Sequence, residues 1–429
     1  MCSELFRIPV EAFGVPIFGF GVLLAIWLAV GGYSVYKNGG AVDAWTTLAF
    51  VALAIVLLPK LFPDGLPIRS YGLMMLLGCL SGLWLAISRG RNAGIAGETI
   101  MSLAMHMFVA GIVGARLFYV IEYWDARIKQ ETLGQTIKAA LSFTEGGLVV
   151  YGSLIGATGA FLYFTRKHKL PTLALADLIA PSLLIGLAFG RVGCLLNGCC
   201  YGGVSEVPYA ITFPKESSPG KLSGPYAEQA GQGRFSGLRF GTAADESAGD
   251  VPSGVVIASV VPDSPAADAQ LKPGMTVQAI GEYLVETVPQ AESLTVRAFL
   301  QNHPLEIVDG SGQTHRVSIS SPPERSLPVQ PTQIYSAVNA ALLCWLLWAV
   351  FPWRTRDGQV VVLMLTLYPI ARFLLEHIRV DESPVFGTGL SISQNLSLLI
   401  FAGAVALWVY TRTTAGNQLH YAGKLHNAE

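Results

Sequence analysis

The stretch LALADLIAPSLLIGLAFGRVGCLLNGCCYGG, residues 173–203, decides the fold of this chain. Residues 173–196 are long and apolar enough to cross a bilayer as one helix, yet Asp177 and Arg191 lie inside that length. A charge within a membrane segment is costly and usually has a function. The glycines at the end of the stretch allow close helix packing and a sharp turn. The stretch predicts a spanning helix that carries a functional charge and ends in a tight exit turn.

Composition outside this stretch agrees with a membrane protein. Charged residues make up 13% of the 429 residues and apolar residues 52%, and the mean hydropathy is +0.49. Soluble domains contain roughly 25% charged residues. The net charge of −1 gives no basic surface for a nucleic acid, so we expect no nucleic-acid partner. Six cysteines are too few for a disulfide scaffold, and the N-terminal residues predict no removable signal peptide.

Nine apolar stretches reach the length that a bilayer requires, because every backbone group must be satisfied within the segment. We therefore predict an all-α polytopic membrane protein with about nine transmembrane helices and one small β-rich insert. The stretches are 15–36, 43–61, 68–88, 100–122, 148–165, 173–196, 333–352, 358–378 and 392–411.

Lysine and arginine collect on one side of the predicted helices, which indicates the cytoplasmic side. This bias places the N-terminus and the segment 203–330 outside, in a periplasm-like space, and the C-terminus inside. The residues that set it are Lys37, Arg89, Arg91, Arg166, Lys167, Lys169, Arg354, Arg356 and Arg412.

The segment between the sixth and seventh helices has a different character. Residues 204–253 predict a flexible linker, because most of this range is rich in Gly, Ser, Pro and Ala. Residues 254–320, or a range that starts near 235, alternate β-branched runs with turns and end in a hairpin signal around Asp309. The order of elements resembles a PDZ domain, and this resemblance implies that Gly237 and Leu238 hold a peptide carboxylate. Met275 and Gly281 depart from the PDZ pattern, and a spacer domain that binds no peptide is the alternative.

Several predicted helices carry charged residues. Arg372, Glu376 and Arg379 follow a 4-then-3 spacing, which places them on one helical face. Together with Arg116 and Arg191 they would suit an anionic headgroup, since arginine donates paired hydrogen bonds to phosphate and keeps its charge. The alternative is that they are interfacial anchors or structural Arg–Glu pairs.

The stretch GRVGCLLNGCCYGG, residues 190–203, resembles the signature of the prolipoprotein diacylglyceryl transferase family. Other family motifs follow in the family's order: SYGLM at 70–74, GAR at 114–116, GGL at 146–148, YGSLIG at 151–156, DLIAP at 177–181, QPTQIY at 330–335 and SQNLS at 393–397. The resemblance implies a seven-helix membrane core in two parts, 68–203 and 330–412. Residues 1–67 would add two helices, and 413–429 would form a cytoplasmic tail.

The family moves diacylglycerol from phosphatidylglycerol to a lipoprotein cysteine in the bacterial inner membrane, without a cofactor. By resemblance, Arg191 and Arg372 are catalytic and hold the lipid phosphate. The expected substrate-binding residues are Tyr71, Arg116, Asn197, Gly202, Gln333 and Arg379. Three positions depart from the family: Tyr151 replaces its histidine, Cys194 an asparagine and Cys199 a glutamate.

The missing histidine leaves the base unassigned. A thiol must lose its proton before it attacks carbon, and a tyrosine, with a reference pKa near 10, suits this step poorly. Tyr151, Glu376 and Glu145 are the candidates. For Cys194, Cys199 and Cys200 a disulfide clamp or plain packing is the first expectation and a redox role the second; no metal site is predicted, since no histidine lies nearby in the sequence.

Three hypotheses follow from these residues. The first is a phospholipid-dependent diacylglyceryl transferase whose PDZ-like insert presents or senses the protein substrate. The second is a catalytically altered relative, an adaptor that binds phospholipid in the membrane and protein C-termini through the insert. The third is a thiol–disulfide membrane enzyme, and the lack of a Cys-x-x-Cys pair argues against it.

Overall fold

The structure is a computed structural model, and its helices follow the predicted apolar stretches. It describes residues 4–12, 15–18, 20–37, 42–130, 132–142, 147, 149–218, 220–242, 254–318, 322–379, 387–413 and 420. The candidate base Glu145 and most of the predicted tail, 413–429, lie outside these residues.

A helix occupies each of the nine predicted ranges. These helices are α1 (Val22–Lys37), α2 (Val42–Leu61), α3 (Ser70–Asn92), α4 (Gly97–Glu122), α6 (Val150–Lys167), α7 (Thr172–Asn197), α11 (Thr332–Val350), α12 (Gln359–Glu376) and α13 (Ile392–Thr413). The first helix starts later than predicted, because Val15–Pro16 forms a short strand before it. Within the described residues six helices are long and apolar enough to span a membrane, namely α3, α4, α7, α11 with the 3₁₀ turn after it, α12 and α13. The chain is thus a polytopic membrane protein, and spans at α1, α2 and α6 stay predictions.

The remaining elements are four shorter α-helices, a π-helical turn at Trp124–Ile128 and twelve strands. The helices are α5 (Leu133–Leu141), α8 (Gly224–Gly231), α9 (Pro265–Asp268) and α10 (Val288–Gln301). The strands are β1 (Glu4–Ile8), β2 (Glu11–Ala12), β3 (Val15–Pro16), β4 (Leu66–Arg69), β5 (Glu216–Ser218), β6 (Lys221–Leu222), β7 (Leu238–Thr242), β8 (Val255–Val260), β9 (Thr276–Ile280), β10 (Tyr283–Leu284), β11 (Leu305–Asp309) and β12 (Thr314–Val317).

The chain forms two compact units. The first comprises Met1–Leu73 and Gly193–Pro331, and the second comprises Met74–Val192 and Thr332–Glu429. The second unit contains most of the helical core, in which Phe164, Leu178 and Leu347 are almost inaccessible to solvent.

Helices α4 and α6 of the second unit pack backbone against backbone. A Cβ on Gly152 would lie 2.3 Å from the carbonyl oxygen of Gly114, and one on Gly156 would lie 2.2 Å from that of Ala110. Small residues let membrane helices approach this closely, and dispersion contacts then replace the hydrophobic effect as the source of stability. The glycines of the GAR and YGSLIG motifs therefore fix the spacing of these two helices.

Asp177, predicted as a functional charge, caps a helix. Its carboxylate accepts hydrogen bonds from the backbone N–H groups of Gly358 at 2.7 Å and Val361 at 2.8 Å, at the start of α12. The Nε of the buried Arg354 lies 3.8 Å from the same carboxylate. A negative charge stabilises the N-terminus of a helix, where N–H groups lack partners within the helix. Asp177 thus joins α7 to α12.

The insert in the first unit is built on a six-stranded antiparallel sheet. Its order is β12-β11-β9-β8-β7, with β10 paired to β9, and α9 and α10 pack beside it. The predicted hairpin is confirmed, with Leu305 opposite Val317 in the register of β11 and β12. The inward side chains of the strands, among them Ile257 and Ile307, form a separate hydrophobic core.

The range 204–253, predicted as a linker, contains regular structure. It holds β5, β6, α8 and the edge strand β7, and Tyr226 of α8 packs with Phe299 of α10. Large apolar side chains are few in this range but well placed, so composition underestimated its order. Residues 243–253 lie outside the described residues.

The two ends of the insert are tied together. The N–H of Gly202 donates to the carbonyl of Gln330 at 2.9 Å, and the N–H of Gln330 donates to Gly203 at 3.0 Å. A bridge between Val204 and Val329 extends this pairing. The chain therefore enters and leaves the insert through two paired backbone segments.

Candidate functional site

Two arginines of the second unit line one small cavity. Arg191 comes from the C-terminal part of α7 and Arg372 from the C-terminal part of α12. The cavity measures about 10 Å³, roughly the room for one water molecule. The other lining residues are Leu187, Ser336, Asn339, Tyr368 and Leu375. The structure thus brings the two predicted phosphate ligands to one small space between α7, α11 and α12.

Arg372 is held in place by two neighbours. Its Nη1 donates to Glu376, one turn later on α12, and its Nη2 donates to the Oγ of Ser393 on α13 at 2.9 Å. Glu376 is 6% exposed and also accepts a hydrogen bond from the Oγ of Ser391 at 3.3 Å. Arg379 follows on the same face, with its Nη1 4.0 Å from Glu376. The structure confirms the shared face and makes Glu376 the residue that orients Arg372.

Arg116 binds backbone carbonyls. Its Nε donates to Ala140 at 2.8 Å, and its Nη2 donates to Ala139 at 2.6 Å and to Ser142 at 3.1 Å. These carbonyls end α5, where a cation is favoured by the helix dipole. The Nη1 donates to the carbonyl of Gly147 at 3.0 Å. In this conformation Arg116 connects α4 to the segment that precedes α6, a structural contact that the sequence did not predict.

The backbone conformation and surroundings of Gly147 explain why the GGL motif has a glycine at this position. Its φ of +81° lies in the left-handed region, and a Cβ there would lie 2.6 Å from both the Nη1 of Arg116 and the ring of Tyr119. Any other residue would carry backbone strain and displace the guanidinium. Gly146 and Leu148 of the same motif lie outside the described residues.

The other predicted site residues divide between the two units. In the second unit, Tyr151 is half-buried in the first turn of α6, and Gln333 is buried in the first turn of α11. In the first unit, Tyr71 is exposed in the first turn of α3, Asn197 ends α7, and Gly202 pairs with Gln330.

Sequence reasoning missed the polar residues that complete the arginine cavity. Ser336 and Asn339 are three residues apart on α11, and Tyr368 lies one turn before Arg372 on α12. The signal was present, since each is a polar group at helical spacing within an apolar helix.

The end of α7 brings three cysteines of the first unit together. The N–H of Gly198 donates to Leu195 at 3.3 Å and that of Cys199 to Cys194 at 3.1 Å. With φ of +74° at Gly198, this is a Schellman motif, which places the residue three positions before the last helical residue beside the second residue after the helix. Cys194 and Cys199 occupy these positions, and Cys200 follows with φ of +59°. The three sulfur atoms lie within 4.8 Å of one another, and the residues are present as thiols.

The loop that was expected to hold a peptide carboxylate is closed on itself. The N–H of Gly237 donates to the carbonyl of Gly233 at 2.8 Å, and that of Leu238 to the Oγ of Ser236 at 3.3 Å. Leu238 is buried in the core of the sheet. In this conformation the loop directs neither N–H toward a ligand.

Comparison with known proteins indicates the same family as the sequence motifs. The family model described as prolipoprotein diacylglyceryl transferase matches residues 59–410. A protein of Rhodopirellula baltica, named phosphatidylglycerol–prolipoprotein diacylglyceryl transferase, is 35% identical over 448 residues, which cover 94% of this chain and 88% of that protein.

Two further relatives match a shorter part of the chain. A protein of Clostridium perfringens, named phosphatidylglycerol–prolipoprotein diacylglyceryl transferase 2, is 34% identical over 36% of this chain and 57% of its own length. A protein of Dehalococcoides mccartyi with the same family name is 36% identical over 38% of this chain and 60% of its own length. On the extent of the family match and of the Rhodopirellula relative, the chain belongs to the prolipoprotein diacylglyceryl transferase family.

Proposed function

We propose that this chain transfers the diacylglyceryl group of phosphatidylglycerol to the thiol of a prolipoprotein cysteine. Membership of the family supports this activity, and so does the name of the Rhodopirellula relative. The observation that carries it is the cavity shared by Arg191 and Arg372.

The reaction needs positive charge on the departing phosphate. The acceptor sulfur attacks the glyceryl carbon, the carbon–oxygen bond breaks, and its electron pair leaves on glycerol phosphate. Two arginines that line one space supply guanidinium groups to bind the phosphate and stabilise the charge that grows on it. Because the cavity holds only about one water molecule, we infer that the headgroup separates α7 from α12 when it enters.

Glu376 acts as a positioning residue in this proposal. Its contacts with Arg372, Ser391 and Arg379 occupy its carboxylate, which leaves it poorly placed to accept the thiol proton. Tyr151 remains a proposed catalytic residue at the family's histidine position. The residues that remain proposed substrate contacts are Tyr71, Arg116, Asn197, Gly202, Gln333 and Arg379.

Complementation tests the activity. A host depleted of its own diacylglyceryl transferase should grow when it expresses this chain and should not grow with Arg191→Ala. Arg166→Ala, which removes an exposed arginine at the end of α6, is the matched control and should support growth. Growth with Arg191→Ala, or no growth with well-expressed wild type, contradicts the proposal.

We propose that the insert faces the periplasm of a bacterial inner membrane and has a PDZ-like fold. The bias of lysine and arginine supports the first point, and the strand–helix order with its closing hairpin supports the second. The edge strand β7 lies beside α10, the arrangement to which PDZ domains add a peptide strand.

The alternative, an adaptor that binds protein C-termini, requires the Gly233–Leu238 loop to open. Binding of a fluorescent peptide with a free carboxylate by the full chain in detergent, and not of its amidated form, would support this alternative. If the chain binds both peptides equally, or binds neither, the insert does not recognise a C-terminal carboxylate.

A further inference from the structure

We propose that Cys194, Cys199 and Cys200 form a zinc site with three thiolate ligands, and that its fourth position binds the thiol of the acceptor cysteine. The inference rests on the proposed transferase function and supplies the activation step that Tyr151 performs poorly.

The sulfur geometry fits a metal ion. Zinc–sulfur bonds of about 2.3 Å in a tetrahedron place two sulfur atoms about 3.8 Å apart. The three sulfur atoms lie within 4.8 Å of one another. Side-chain rotations that move each sulfur atom by about 1 Å or less would therefore bring all three to the distances of a tetrahedral zinc site. The Schellman motif fixes the backbone of Cys194 and Cys199, and little chain entropy is lost on binding.

The number of ligands indicates an open position. Among the described His, Cys, Asp and Glu residues, only these three belong to the cluster. Structural zinc sites close with four protein ligands, whereas catalytic sites keep three and leave the fourth to water or substrate. Cys199 and Cys200 are half-buried, whereas Cys194 is buried.

The neighbouring amide supports thiolate ligands. The Nδ2 of Asn197 lies 3.8 Å from the Sγ of Cys199, and an N–H that points at a ligand sulfur stabilises its negative charge. Three thiolates and one Zn²⁺ carry a net charge of −1, less than the −2 that three thiolates would carry around Cu⁺. Partial burial therefore favours zinc over copper at this site.

The chemistry matches the departures from the family pattern. A thiol bound to zinc is deprotonated at neutral pH, so no general base is needed. The acceptor thiol takes the fourth position and its proton goes to solvent. Its sulfur then forms the bond to the glyceryl carbon, the electron pair of the broken carbon–oxygen bond leaves on glycerol phosphate, and the thioether product, a weaker ligand, dissociates. In the sequence Cys194 follows Arg191, a proposed phosphate ligand, by three residues.

Metal content and a Co²⁺ spectrum test the site directly. Full-length protein purified in detergent without chelators should contain stoichiometric zinc. Replacement of zinc by Co²⁺ should give thiolate-to-cobalt charge-transfer absorption and the visible bands of a tetrahedral ion. A peptide that contains the acceptor cysteine should shift those visible bands, and the same peptide with serine should not.

The variants separate this site from simple loss of folding. Cys199→Ser and Cys200→Ser should each abolish zinc binding and lower turnover by about 100-fold. This factor is the rate enhancement that a general base typically contributes. Cys79→Ser, at an exposed cysteine on α3, is the matched control and should retain zinc and activity.

Four outcomes overturn the inference: full activity without bound metal, a Cys194–Cys199 disulfide in the active protein, a bound Cu⁺ in place of zinc, or a cobalt spectrum that the cysteine peptide leaves unchanged. A different result would refute the proposed function but not the metal site. In that case the chain binds zinc and the cysteine peptide shifts the cobalt bands, but the chain transfers no lipid.

Discussion

Replacement of Gly152 by alanine tests the packing that supports the site. The new methyl group would lie 2.3 Å from the carbonyl oxygen of Gly114 and 2.5 Å from the Cβ of Phe118. A carbon–oxygen contact between helices normally measures about 3.3 Å, so α4 and α6 must separate by about 1 Å. Overpacking of this kind costs about 1–3 kcal/mol.

Gly159→Ala on the same helix provides the matched control. A Cβ at Gly159 meets no atom within 4 Å. Both variants gain up to about 1 kcal/mol from helix propensity, so their difference isolates the packing cost. We expect Gly152→Ala to be less stable than Gly159→Ala by about 2 kcal/mol.

Denaturant or thermal unfolding of the full chain in detergent measures this difference. Because α4 carries Arg116 and α6 carries Tyr151, Gly152→Ala should also lower transfer activity, whereas Gly159→Ala should not. Equal stability of the two variants would refute the argument that backbone contact between α4 and α6 holds this part of the molecule.

Three further predictions concern single side chains. Arg372→Lys should lower turnover about 100-fold in a lipid-transfer assay, because one ammonium cannot contact Glu376, Ser393 and a phosphate in the guanidinium geometry; wild-type turnover would contradict this. Asp177→Asn should destabilise the full chain by about 2 kcal/mol, because the amide nitrogen cannot accept one of the two α12 N–H bonds and the buried Arg354 loses one of its counter-charges; unchanged unfolding in detergent would contradict this. In the insert, a hydrogen bond from the Ser311 hydroxyl, helped by the Gln313 N–H and His315, holds the pKa of Asp309 below its usual range. A lowered folded-state pKa stabilises the fold above the unfolded-state value, so β11–β12 should lose protection from hydrogen exchange as pH falls below about 4. Asp309→Asn should remove this pH dependence.

The helical part of the fold could be predicted from sequence because lipid imposes a strict rule. Every backbone group in the bilayer must be paired within its own segment, which makes length and hydropathy sufficient to place α3, α7 and α13. The insert was harder to delimit. Tyr226 and Phe299 form a small core across a stretch of Gly and Ser, and composition averaged over many residues does not show two well-placed aromatic rings.

The site was only partly predictable, because charge in a membrane has two uses. Arg191 and Asp177 give the same signal in the sequence, a charged residue within one apolar helix. The structure shows that their roles differ. Asp177 accepts hydrogen bonds from two backbone N–H groups at the start of α12, whereas Arg191 lines the cavity with Arg372. The role of each charged residue depends on which part of a neighbouring helix packs against it. The sequence of α7 alone does not contain this information.

The arrangement of the three cysteines could also be predicted only in part from the sequence. Sequence suggested a turn at Gly198 and a disulfide among its neighbours. The Schellman geometry instead gathers three thiols, an arrangement that depends on the left-handed backbone at Gly198 and Cys200.

Release of glycerol phosphate by the purified chain tests the central claim most directly. The protein is incubated with phosphatidylglycerol vesicles and a peptide that contains the acceptor cysteine, and both products are followed by mass spectrometry. We predict glycerol phosphate and diacylglyceryl-peptide in equal amounts, with neither formed by Arg191→Ala or from a serine peptide. Folded wild-type protein that binds phosphatidylglycerol and forms neither product would contradict the account.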